Sequence, residues 1–151
     1  MTKSDTKQVG ANVPRRGEPI EPEVFRTIAD CTYDWESWHN GSAELLWVNS
    51  AVERFTGFSP SECMAMDDYP FPLIAKEDHP RFASYIEQMV TGSTGNNIEF
   101  NVVHRDGSNR WVAISWQPMI DAKGRSLGFR ISTRDIAEKR AMREQLRLHN
   151  E

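Results

Sequence analysis

From Asn96 to Asp135 the apolar residues recur at every second position, and beyond Asp135 they do not. That one change of period constrains the chain most. Ile98, Phe100 and Val102 mark the buried face of a strand, because successive strand side chains point to opposite faces of a sheet. Arg105-Asp106-Gly107-Ser108 then supplies residues that tolerate a tight turn, so the next strand folds back antiparallel. Over Trp111 to Met119, Val112, Ile114 and Trp116 alternate with Ala113, Ser115 and Gln117, and Pro118 predicts an edge or a bulge. A second turn at Asp121 to Gly124 leads to a third strand with Leu127, Phe129 and Ile131 on its apolar face. After Asp135 the spacing becomes helical.

The upstream half reads as smaller pieces. Residues 1–21 are polar, contain Gly10, Pro14, Gly17 and Pro19, and are expected to be a flexible leader. Pro22, between Glu21 and Glu23, opens a short helix with Val24, Phe25 and Ile28 on one face. Tyr33 to His39 alternates as a strand, Asn40-Gly41 predicts a hairpin, and Leu45 to Asn49 returns. A short helix carrying Val52 and Phe55 is broken by Gly57. The next starts at Ser59-Pro60-Ser61-Glu62, which has the spacing of a capping box. Asp67 to Pro72 is too rich in turn residues to be regular. The longest helix of this half is expected over Asp78 to Val90, with Phe82, Ile86, Met89 and Val90 in one stripe, and Thr91 to Gly95 loops back to the central strands.

These pieces carry a resemblance. The segments YDWESW, ELLWVNSAVERFTGFSPSE, HRDGSNRWV, DAKGRSLGFR and TRDIAEKR follow in the order and at the spacing of a PAS domain, the sensory module of bacterial signalling proteins. The resemblance covers roughly residues 22–140. It implies an α+β fold: a five-stranded antiparallel sheet, short helices over one face, and a C-terminal signalling helix. The expected organisation is a leader over 1–21, a sensor domain over 22–135 and a linker helix over 136–151. Ala137 stands where the family usually has Thr, so capping of the exit helix falls to Asp135. The family's sheet order sets the first strand beside the last, which brings Arg130 and Arg134 towards Asp34 and Glu36. Such polar pairs would fix register, near a polar patch of the pocket. Exposed pairs of this kind are otherwise worth little.

Chemistry-bearing motifs are few. No Gly-x-Ser-x-Gly elbow or phosphate-cradling GxxxxGK occurs, and His39, His79, His104 and His149 fall in separate elements, so catalysis within this chain is not expected. Cys31 and Cys63 are far apart, which argues against a disulfide framework or a metal site and suits a reducing cytoplasm. With 151 residues and a net charge of -4, the chain fits one domain with tails and lacks the basic footprint of a nucleic-acid binder. No apolar run approaches the ~20 residues of a membrane span.

The pocket expected from the resemblance is lined or bordered by Trp35, Phe55, Phe82, Ile86, Phe100, Ile114, Trp116 and Phe129. A covalent flavin adduct is argued against, because the reactive-Cys segment of such photosensors has no counterpart and Cys63 falls in another helix. Haem is disfavoured: Phe82 holds the axial His position, and His79 lies one helical turn, about 5.4 Å, away. Noncovalent flavin or a small metabolite stays open, as does plain core.

The exit helix has an incomplete apolar seam at Ile136, Met142, Leu146 and His149, with Ala141 and Leu148 beside it, too thin for an isolated helix, and it needs a partner. The resemblance implies a homodimer whose helix runs into an output domain, commonly a histidine kinase or a cyclic-dinucleotide synthase. The expected signal path runs from Phe129 and Ile131 through the junction at Asp135 and Ile136. The competing expectation is a constitutive dimerisation or docking module with a filled core.

Overall fold

The computed structural model describes residues 13–150. The expected leader falls outside the described residues over 1–12, and 13–21 are exposed without helix or strand. In chain order the elements are α1 (Pro22–Cys31), β1 (Trp35–His39), β2 (Leu45–Val48), α2 (Ala51–Thr56) and α3 (Pro60–Met64). Two 3-10 turns follow (Phe71–Leu73 and Lys76–Asp78), then α4 (His79–Val90), β3 (Gly95–Val103), β4 (Asn109–Ile120), β5 (Ser126–Asp135) and α5 (Ala137–Asn150).

The strands form one antiparallel sheet in the order β2-β1-β5-β4-β3, which places the first strand beside the last as expected. The period-two pattern sets the faces. Trp35 pairs with Thr133, which pairs with Ile114, which pairs with Ile98, and this row points to the helical side. Phe100 pairs with Val112 in the next row. The core lies on that side, where Phe100, Leu73, Val52 and Val102 are almost wholly buried. Helices α2 to α4 cover that side, with Phe55, Cys63, Phe82 and Met89 facing inward.

Local chemistry explains the element ends. Ser59 and Glu62 form the predicted capping box at α3, side chain to backbone in both directions. Gly57 ends α2 at φ 79°, where an added Cβ would lie 2.8 Å from the Arg105 Cβ, so no larger residue fits this close approach. Pro118 sits in an irregularity of the β4–β5 register rather than on an edge strand. Asn49 is a clamp: its Oδ1 accepts from the Glu36 N–H, and its Nδ2 donates to the carbonyls of Ala29 and Asp34 at 2.9 and 3.0 Å. One fully buried amide thus joins α1, β1 and β2.

Three expectations are corrected. Strand β1 begins at Trp35, not Tyr33, because Tyr33 turns outward under the Arg54 guanidinium, 3.9 Å from its ring. The β1–β2 connection is not a two-residue Asn-Gly turn. Asn40 N–H donates to Glu44 O, Asn40 Oδ1 accepts from Ser42 and Glu44, and Ala43 takes the positive φ of 70°. Val90 leaves the α4 stripe for solvent, while Phe82 and Met89 stay buried.

Candidate functional site

Beneath the helices the core leaves a small, partly open space of about 20 Å³. Trp35 and Ser37 from β1, Ile131 and Thr133 from β5, and Val112 and Ile114 from β4 form its floor. Phe100 and Val102 of β3, Phe82 of α4, and Tyr69, Pro70 and Ile74 of the preceding loop complete it. A space of that size holds about one water molecule. Small-molecule pockets are usually about 300 Å³ or more, so neither flavin nor haem fits this packing.

Of the eight residues expected around the pocket, Trp35, Phe82, Phe100 and Ile114 line it. The other four stand behind or beside them. Phe55 packs its ring 5.8 Å from Trp35, Trp116 lies 5.2 Å from Tyr85, and Phe129 stacks on His39 at 5.0 Å. Ile86 is half-buried against the core. Val112 and Ile131 were visible as apolar strand positions, and parity alone puts Ser37 and Thr133 on the same faces. Tyr69 and Pro70 sit in the irregular loop, where no periodic signal exists.

The polar content of the site is a short chain of neutral groups. Trp35 Nε1 donates to the Tyr69 hydroxyl at 3.2 Å. Ser37 Oγ lies 2.9 Å from His39 Nε2, and His39 Nδ1 lies 3.4 Å from the Ala43 carbonyl. Burial pushes His39 down to about 4, with the Ala43 carbonyl opposing it, so the ring is neutral at pH 7. Burial also raises the Tyr69 phenol far above its ordinary value. Cys63 is pushed up to about 11, chiefly by burial and then by Glu62, and a protonated thiol is a poor nucleophile. His79, the off-register haem candidate, is engaged otherwise: its Nε2 lies 2.8 and 2.9 Å from the carbonyls of Phe71 and Ile74. Among the described residues no group of three His, Cys, Asp or Glu is placed to hold a metal ion.

The ion pairs expected between β1 and β5 form, but on the face of the sheet away from the cavity. Arg130 reaches Glu36 at 2.9 Å and Arg134 reaches Asp34 at 3.7 Å. Strand parity dictates this: Trp35 and Ser37 face the cavity, so Asp34 and Glu36 cannot. The pairs are diagonal, since Glu36 stands opposite Ser132 and Arg130 opposite Trp38. Burial holds the Glu36 carboxyl above its ordinary value, against the pull of Ser132 and Arg130.

The junction to α5 is built on that outer face. Asp135 Oδ1 accepts from the Ala137 N–H at 2.8 Å, which caps the helix start. Ile136 is buried, and its N–H donates to the Trp111 carbonyl. One turn later the Arg140 guanidinium lies 3.5 Å over the Trp111 ring. Glu99 of β3 then binds both Arg140, at 2.8 Å, and Arg143, at 3.1 Å. The Arg143 guanidinium first, and Arg140 second, hold the Glu99 carboxyl below its ordinary value. Sequence reading missed this latch, since nothing local links position 99 to positions 140 and 143. At about 100° per residue, Ile136, Arg140 and Arg143 share the sheet-facing side of α5, while Met142 lies roughly 130° and Leu146 roughly 90° round from it, on an outward flank of the helix. Those two are 58% and 61% exposed.

Comparison with known proteins agrees with this geometry. A model of the PAS fold family matches residues 45–131, more than half of the chain. Among curated proteins none matches in sequence. Among solved structures, an RNA-binding Light-Oxygen-Voltage receptor superposes with a TM-score of 0.71 at 19% identity, over 91% of this chain. The chain spans only 42% of that receptor. A PAS domain from Colwellia psychrerythraea gives 0.61 at 19% identity, covering 77% of this chain and 97% of its own. A domain of a putative light and redox sensing histidine kinase from Haloarcula marismortui gives 0.57 at 23% identity, covering 76% and 99%. No helix among the described residues is long and apolar enough to cross a membrane.

Proposed function

The chain belongs to the PAS fold family, and from that premise we propose that it is a sensory signalling module that passes a change in its core through α5 to an output domain such as a histidine kinase. The observation that carries this reading is the junction. Val112 and Phe100 line the cavity, and their chain neighbours Trp111 and Glu99 hold α5 on the other side of the sheet. A shift of one inward side chain therefore displaces a residue that fixes the helix. Couplings of this kind are typically about 1–3 kcal/mol, within reach of a few rearranged charged hydrogen bonds. The module itself has no catalytic role, works in the cytoplasm, and acts as a homodimer in which the outward Met142 and Leu146 face meets its copy.

The test is a fusion of the whole chain to a histidine kinase output domain. Asp135→Ala should change kinase output while the domain keeps its circular dichroism and melting curve; unchanged output overturns the proposal. A second reading, a constitutive docking or dimerisation module, is favoured by the roughly 20 Å³ cavity, which is close to a filled core. Ile114→Trp separates the two, because overpacking the cavity floor should alter output in a sensor and leave it unchanged in a docking module.

A further inference from the structure

One piece of the cavity's cover makes only local backbone bonds and is otherwise held through the side chain of Tyr69, whose hydroxyl bonds to Trp35 and Ser37. Downstream of Pro70 the loop is pinned: His79 is bonded to the carbonyls of Phe71 and Ile74, Ile74 bridges to Val102, and the Ala75 N–H donates to Asn101. Upstream, the Met66 N–H closes back onto Cys63. Between these anchors, residues 67–70 are held by the local bonds Phe71 N–H to Asp68 and Leu73 N–H to Pro70. Tyr69 projects from this short stretch as a stopper. The residue is half-buried overall, yet its hydroxyl reaches Trp35 Nε1 at 3.2 Å, its ring lies 5.9 Å from that of His39, and it forms a wall of the cavity.

We propose that Tyr69 is a displaceable plug, and that with its ring swung out the vacated slot and the adjoining cavity bind a neutral monocyclic aromatic molecule carrying a hydrogen-bond acceptor. This rests on the sensory reading and gives it a ligand class. Size follows from the side chain itself: what leaves is one six-membered ring, so what enters is a ring of that size. Polarity follows from Trp35. Its buried N–H loses its acceptor when Tyr69 leaves, and an unsatisfied buried donor is costly, so the incoming ring must supply an oxygen or nitrogen there. Neutrality follows from the walls. No Lys, Arg, Asp or Glu lines the cavity, and His39 beside it is uncharged, so a buried ionic ligand would find no counter-charge. The hydroxyls of Ser37 and Thr133 add the remaining polar contacts.

The experiment titrates phenol, toluene and benzoate into the full chain and into Tyr69→Phe and Tyr69→Ala. Binding is followed through the Trp35 indole N–H in 1H–15N spectra and through the melting temperature. Wild type should bind phenol saturably with a shift of the Trp35 signal. Toluene should bind at least about tenfold more weakly, for want of an acceptor, and benzoate should not bind. Tyr69→Phe removes only the hydroxyl that holds the plug, so it should stay folded and bind phenol about three- to tenfold more tightly than wild type. Tyr69→Ala, if folded, should bind more tightly still.

Saturable binding to Tyr69→Ala with none to wild type would make Tyr69 fixed core and overturn the proposal. Equal phenol affinity of wild type and Tyr69→Phe, or benzoate binding as well as phenol, would overturn it too. These readouts need no output domain. Their failure leaves the Asp135→Ala result standing, whereas phenol binding that leaves a fused kinase unmoved supports the site and counts against the signalling reading.

Discussion

Glu99→Gln isolates the latch between the sheet and the exit helix. The substitution keeps the shape of the side chain and removes its charge, so it weakens the bonds to Arg140 and Arg143 without opening a cavity. Both arginines are partly exposed, at 37% and 48%, and solvent screening places each pair at the modest end of surface ion pairs. Two pairs at about 0.5 kcal/mol each give about 1 kcal/mol, or roughly a fivefold change in the ratio of docked to released helix. The stacking of Arg140 on Trp111 and the burial of Ile136 are untouched, so release is partial.

Hydrogen exchange reads this directly. An isolated helix of about 14 residues is marginal in water, so protection of the α5 amides reports docking on the sheet. Exchange at residues 140–146 should speed up by roughly fivefold in Glu99→Gln, with the core strands unchanged. In wild type, raising salt to about 0.5 M should produce much of the same acceleration, because screening shortens the reach of these charges, and the variant should respond far less. Equal protection of α5 in the two proteins, or an identical salt response, would refute the latch.

Three further outcomes follow from the same geometry. Gly128 has φ +94°, and an added Cβ would lie 1.9 Å from the His39 carbonyl oxygen, so Gly128→Ala should cost at least about 2 kcal/mol and lower the thermal midpoint by several degrees. The folded-state value of His39 is lowered to about 4, so the unfolded chain takes up its proton first as pH falls. Its contribution is complete above about pH 6.5 and is lost between there and pH 4, to a limit of about 3 kcal/mol. The raised Glu36 carboxyl works the other way in part of that window, so the measure is the urea midpoint of wild type against His39→Gln, whose profile should be flatter. Leu146→Glu puts a charge into the proposed dimer face and should weaken self-association by about 100-fold in light scattering, without altering the fold.

Much of this fold could be read from residue patterns because its central strands are locally unambiguous. Ile98, Phe100 and Val102, then Val112, Ile114 and Trp116, fixed which faces turn inward, and register followed from the turns between them. The capping box at Ser59 is likewise a local signal and formed as read. What escaped was non-local or aperiodic. Tyr69 lines the cavity from a loop whose composition says only that it is irregular. Glu99 meets Arg140 and Arg143 across more than 40 positions of sequence, by virtue of where α5 leaves β5. Sheet order predicts the ion pairs of Asp34 and Glu36, but the alternation that sends Trp35 inward sends its neighbours outward, away from the pocket.

The central claim is that the core and the exit helix are mechanically joined. The most direct test is a distance between spin labels at Ser108→Cys, on the β3–β4 turn, and Gln145→Cys, on α5, in a Cys31→Ser background, with and without Ile114→Trp in the cavity floor. The core substitution should move or broaden the distance distribution, and Glu99→Gln should broaden it in the same direction. A distribution unchanged by Ile114→Trp, in a domain that remains folded, would contradict it.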